Sequence, residues 1–257
     1  LAPDSAAADS DKKRDKYADT PAKKEALAAA KQNIQGLQGW DYFTKPNYIV
    51  LHSWDIEKPD ERTKAKKDAI YYSDRLEKMR ELYLGNYPLD PTGTKAVMPD
   101  KNTIPDIEGP TTGVATTPSK PSPANAAGEG PAGDKPPPAE PLGTLRYSVF
   151  RLCATYDQFQ KYGESPPGVV GWFSPMSKEL VVFLGGDKMM GAGATETVTY
   201  HEGWHQGADF YFDHPQSAKH EQLHRWFDEG HGDYYGAFRW GQSGWKYLGS
   251  KMRYDDC

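Results

Sequence analysis

Three things are scarce in this chain of 257 residues: positive charge, long apolar runs and cysteine. Lys and Arg total 31 against 36 Asp and Glu, a net charge of −5, so the electrostatic footprint of a nucleic-acid or anionic-membrane partner is missing. No apolar run approaches the ~18 residues of a membrane-spanning helix. The strongest, Leu180-Val181-Val182-Phe183-Leu184, has the length of a buried strand. Two cysteines, Cys153 and Cys257, are too few for a disulfide framework or a cysteine-based zinc site. They are expected as one buried and one terminal thiol rather than a bridge. Residues 1–10 show neither the charged start nor the apolar centre of a signal peptide, so a leader, where encoded, is expected to have been removed.

Two stretches are short of large apolar residues. Residues 1–38 are polar and alanine-rich, and although 22–32 has helical spacing, alanine buries little area, so a mobile extension is expected there. An insertion at about 87–142 is densest between Pro105 and Pro141, which hold 10 of the 21 prolines. Such a segment cannot bury enough surface to offset its ordering entropy, and it reads as an extended interruption of a single domain spanning 39–257. It is also a candidate surface for a protein or cell-surface partner. Around it lie a strand at Tyr48 to His52 and a helix from Asp60 to Tyr83, with Ile70, Tyr71, Leu76, Met79 and Leu82 near helical spacing. A strand (Leu145 to Leu152), a short helix (Tyr156 to Tyr162) and a hairpin (Val169 to Phe173 with Leu180 to Leu184) follow. Strands preceding two helices favour an α+β fold.

Those last helices carry the chemistry. His201-Glu202-Gly203-Trp204-His205 places two imidazoles four residues apart, on one helical face, with a carboxylate beside the first. Thr195 is a candidate cap for this helix. His220-Glu221-Gln222-Leu223-His224 repeats the pattern, and a third ligand discriminates between the copies, because a catalytic zinc takes three protein ligands and keeps a position for water. The 23 residues between His205 and Glu229 are enough to end one helix and return beside it; the four between His224 and Glu229 are not. The continuation H-E-x-x-H-x-x-G-x-x-H fits neither copy: Ala208 and Tyr211 occupy its glycine and histidine positions after His205, and Phe227 and Gly230 after His224. The surviving assignment has His201, His205 and Glu229 as ligands of one zinc ion and Glu202 as general base. The second copy, with His214 nearby, reads as a solvated connecting segment.

His201 to His205 followed by Gln206, and then Trp226-Phe227-x-Glu229-Gly230, resemble the gluzincin metallopeptidases, most closely the bacterial peptidase-MA-like domains. The likeness covers roughly the last 115 residues, and more loosely the strand and helix that start near residue 47. It implies a zincin-like single domain: a small mixed sheet with an edge strand, the H-E-x-x-H helix, and a second helix bearing the glutamate. It also implies peptide hydrolysis by zinc-activated water, a peptide or protein substrate, and an exported protein. Asp233, four residues after Glu229, matches the aspartate that orients a zinc histidine in that family. The resemblance further calls for an oxyanion donor, with His231, Tyr234 and Tyr235 as candidates, and an edge strand for substrate pairing at Leu180, Val181, Val182, Phe183 and Leu184.

Gly232 departs from the family pattern. A helix-interior glycine costs ~1 kcal/mol relative to alanine, which predicts a short or irregular helix around Glu229. Two other functions fit the same residues: a non-catalytic scaffold that keeps the fold, and a zinc hydrolase of a non-peptide amide or ester. From the organisation we expect limited digestion with a protease of broad specificity to cut first between residues 104 and 141, leaving fragments that co-elute on gel filtration. Protection of that segment, or separation of the fragments, would show that the insertion packs into the domain.

Overall fold

The computed structural model describes residues 15–89, 147–163, 165–212 and 225–249, apart from the side chains of 225 and 226. The chain divides into two units, Leu1–Val97 with Pro141–Cys257, and Met98–Glu140; every described residue belongs to the first. Residues 90–142 of the expected insertion, the second H-E-x-x-H, His214 and Cys257 lie outside the described residues, whereas Tyr87, at its expected start, packs on Trp204 and Phe212 of the domain.

A five-stranded mixed sheet carries the domain, in the order β1-β2-β3-β5-β4. Strands β1 (Trp40–Thr44) and β2 (Tyr48–Ser53) are antiparallel. Strand β2 runs parallel to β3 (Ser148–Cys153), and β3 to β5 (Glu179–Phe183). Antiparallel β4 (Gly171–Ser174) closes the far edge. The architecture is thus α+β with a mixed sheet. The apolar run at 180–184 is not an edge strand: β5 is buried along its whole length between β3 and β4, and β4 is the edge. A run apolar at every position suits a strand covered on both faces, which is where such sequences settle.

Both faces are covered because alternate residues point to opposite sides. Val50, Phe150, Leu152, Leu180 and Val182 form one face, packed by Ala69 and Leu76 of a helix that spans Arg62–Asn86. On that helix Leu76 and Met79 are buried as expected, but Ile70 and Tyr71 are exposed; alanine and serine (Ala65, Ala69, Ser73) hold the inward positions instead, allowing close approach to the sheet. The opposite face, with Ile49 and Leu51, receives Leu27 and Ala30 of helix α1 (Pro21–Ile34). This corrects the expectation of a mobile extension over 1–38 for its later part. Thr20 caps α1 by accepting the Lys23 N–H at 3.2 Å, and the small alanines let the helix lie flat on the strands. We number the Arg62–Asn86 helix α2, and the short helix Tyr156–Gly163, which packs Phe159 beside Val181 and Phe183, α3.

An ion pair is buried beneath α1 and α3. Arg151 and Glu179 meet at 2.9 Å, both almost fully excluded from solvent. Asn33 of α1 and Tyr162 of α3 donate to the same carboxylate, and the guanidinium lies 3.8 Å from the Tyr162 ring centre and 5.0 Å from that of Trp40. Removing one partner of such a pair strands the other charge. We therefore expect Glu179→Ala to cost about 3–5 kcal/mol, and the double change Arg151→Met with Glu179→Leu to be close to neutral, by urea denaturation. A single-variant cost below about 1 kcal/mol would show that water reaches the pair.

Candidate metal centre

After the turn of helix α4 (Gly186–Met190) the chain enters helix α5 (Ala194–Tyr211). Its N-cap is Gly193, with φ +84°, and not the expected Thr195. Thr195 instead forms a reciprocal pair with Asp187: its N–H donates to Asp187 Oδ1 at 2.8 Å, and its Oγ1 accepts the Asp187 N–H at 3.2 Å. Gln206 is buried one residue past His205, and its Nε2 donates to the carbonyls of Val149 and Lys178 at 3.0 Å each. That fastens α5 to the start of the strands.

Helix α6 (Arg225–Gly236) returns alongside α5 as a continuous helix of 12 residues, not the short or irregular one that Gly232 suggested. A β-carbon on Gly232 would stand 2.8–3.0 Å from the His201 ring atoms Cε1, Nδ1 and Nε2. The glycine therefore admits the imidazole between the helices, and its weak helix propensity is outweighed by the packing of α6 on α5. A two-stranded hairpin, β6 (Phe238–Gly241) with β7 (Gly244–Tyr247), follows.

The apposition brings together His201, His205 and Glu229, each offering one ligand atom within 4.8 Å of the others. The two Nε2 atoms are 3.1 Å apart, and Glu229 Oε2 lies 3.4 Å from that of His201 and 3.9 Å from that of His205. Tetrahedral zinc at about 2.0–2.1 Å from each ligand would space them about 3.4 Å apart. Each Nδ1 faces an aspartate of α6: His201 Nδ1 lies 3.1 Å from Asp233 Oδ1, and His205 Nδ1 lies 2.9 Å from Asp228 Oδ1. A carboxylate there selects the Nδ1–H tautomer, which turns both Nε2 lone pairs toward each other and toward Glu229. Without a cation that convergence is repulsive, so the donor set fits a divalent metal. Burial alone would lower the basicity of His205, but the bond to Asp228 and the nearby carboxylates raise it overall, a gain in ligand strength.

Glu202 lies beside this cluster, partly buried, and its Oε2 accepts the Phe173 N–H of β4 at 3.0 Å. Burial pushes its carboxyl up to about 7; His205 and the Phe173 N–H oppose the rise, and the charges of Glu229 and Asp228 add to it. A group poised there can take up and release a proton near neutrality. Strand β4 runs along α5, with Gly171 packed against Val198 and Phe173 against Glu202.

The three aromatic candidates for oxyanion donor turn elsewhere. His231 Nδ1 meets the Phe227 carbonyl at 2.8 Å, its Nε2 meets the Tyr87 hydroxyl, and burial lowers its basicity. Tyr235 is buried with its hydroxyl accepting from Asn86 at 2.9 Å, and Tyr234 packs on Phe238 and Tyr247 of the hairpin. Successive helical residues are turned by about 100°, so residues 231, 234 and 235 leave the face that carries Glu229 and Asp233. Cys153 is a buried free thiol.

Sequence reasoning missed Asp228 and Phe173. The signal for Asp228 was its place directly before the candidate ligand Glu229; a main-chain N–H such as that of Phe173 leaves none. Comparisons with protein-family models, curated proteins and solved structures give no match, so the geometry alone carries the assignment. We expect Gly232→Ala to weaken zinc binding by about tenfold or more while the metal-free protein keeps its stability within about 1 kcal/mol, as helix propensity gained offsets crowding. Unchanged zinc affinity would mean that the His201 ring has room to shift.

Proposed function

We propose that the chain is a zinc-dependent hydrolase of the gluzincin type that cleaves peptide bonds, with His201, His205 and Glu229 holding one zinc ion and Glu202 as general base. The observation that carries this reading is the pair of Nδ1–aspartate contacts, which turn both histidine lone pairs onto the Glu229 carboxylate. Zinc held there would lower the pKa of water toward ~7 and polarise a carbonyl. Glu202 would accept the proton of the attacking water and return it to the leaving amine, with its bond to the Phe173 N–H holding the carboxylate. Export of the protein, implied by the family likeness, is part of the same proposal.

A peptide suits this site better than another amide or ester because of β4. In the antiparallel pairing with β5, the Val170 carbonyl accepts from Phe183 N–H and the Ser174 carbonyl from Lys178 N–H, so by alternation Gly171 directs its N–H and carbonyl outward and Phe173 its carbonyl, the outward Phe173 N–H being bonded to Glu202. An extended substrate can add to that edge as a further strand.

Two measurements test the proposal. Purified wild type should carry about one zinc per chain, and His201→Ala should lose it. Glu202→Gln should keep the zinc and the fold but lose ~10²–10⁴-fold in cleavage of a broad peptide library, because the amide accepts the Phe173 N–H but not a proton from water. Equal cleavage by wild type and Glu202→Gln would trace the activity to a contaminant, and a zinc-loaded wild type that cleaves nothing would favour the scaffold function.

A further inference from the structure

Two nitrogens of α5 meet at Asp228 Oδ1. One is His205 Nδ1 at 2.9 Å; the other is the indole Nε1 of Trp204 at 3.0 Å. Building on the metal centre proposed above, we infer that Trp204 is a positioning residue for His205: its N–H pins the carboxylate oxygen that sets the tautomer and tilt of the ring.

Asp228 stands in the first turn of α6 with its side chain 28% exposed, so a donor that fixes its carboxylate oxygen also fixes the ring bonded to that oxygen. The indole is such a donor, and it is itself immobile. Trp204 is 1% exposed and stacks on His231 (centroids 4.8 Å apart, planes at 22°) and Tyr235 (5.2 Å, 27°), with Tyr83 edge-on at 5.7 Å. His231 is held in turn by the Phe227 carbonyl and the Tyr87 hydroxyl. A buried indole N–H needs an acceptor, and Asp228 is the one it has, so indole, carboxylate and imidazole lock together. Packing of α5 on α2 and α6 thereby reaches the ligand through one hydrogen bond.

A double-mutant cycle on zinc affinity, measured on the full chain by competition with a chelator, separates positioning from packing. Trp204→Phe should weaken zinc binding about tenfold in the wild-type background, within the range seen when a ligand's outer partner is lost. It should have no further effect in the Asp228→Ala background, since the contact through which it acts is gone. The same factor in both backgrounds, or no effect in either, overturns the inference and leaves the metal centre standing. A wild type that binds no zinc overturns both. Should circular dichroism show Trp204→Phe to be unfolded, benzothienylalanine at position 204, which keeps the bicyclic shape and replaces the N–H by sulfur, enters the same cycle with the same expected and overturning outcomes.

Discussion

The candidate site depends on how closely α6 approaches α5. One missing side chain, at Gly232, makes room for the His201 ring, and the resulting contact brings Asp228, Glu229 and Asp233 of one helix against His201 and His205 of the other. Nothing local to either helix would do this. An isolated helix carrying His201, Glu202 and His205 has both rings on one face but free to rotate; the facing aspartates orient them and the glutamate completes the set.

The arrangement concentrates charge. Glu202, Asp228, Glu229 and Asp233 surround two imidazoles in a partly buried space, and burial, with a smaller contribution from the charges of Glu229 and Asp228, shifts Glu202 up to about 7. A folded protein tolerates such a cluster when a cation, a proton or solvent compensates it. The convergence of both Nε2 lone pairs on Glu229 makes a divalent cation the compensation that suits the geometry best. The clamps around the cluster serve the same end: Gln206 fixes α5 to the sheet, Phe173 fixes Glu202 to the edge strand, and the aromatic layer around Trp204 fixes the spacing of α5 from α2 and α6.

The rest of the fold keeps that platform rigid. Helix α1 and helix α3 cover the face of the sheet opposite the site, so the central strands are buried on both sides and read as unbroken apolar runs. The buried Arg151–Glu179 pair under them joins β3, β5, α1 and α3 through one carboxylate. This is a polar way to set register in a layer where apolar contacts alone would permit sliding.

Much of this was legible in one dimension, because periodicity and spacing are local. The strands at Tyr48 and Leu180, the long helix before the insertion and the candidate ligands His201, His205 and Glu229 follow from residue type and interval, while Asp233 was reached through the family likeness. Where the sequence misled, a long-range contact overrode a local preference. The alanine-rich helix at 21–34 is poor in apolar area, yet it docks because the sheet offers a flat face; Gly232 weakens an isolated helix, yet it sits in a regular one because an imidazole needs the space. Strand order was equally out of reach: that β4 and not β5 forms the edge depends on which strands pair, and pairing joins residues distant in the chain. Asp228 and Trp204 belong to the same class. Their residue types allowed the contact with His205, but only the packing of α6 on α5 brought the three within hydrogen-bond distance.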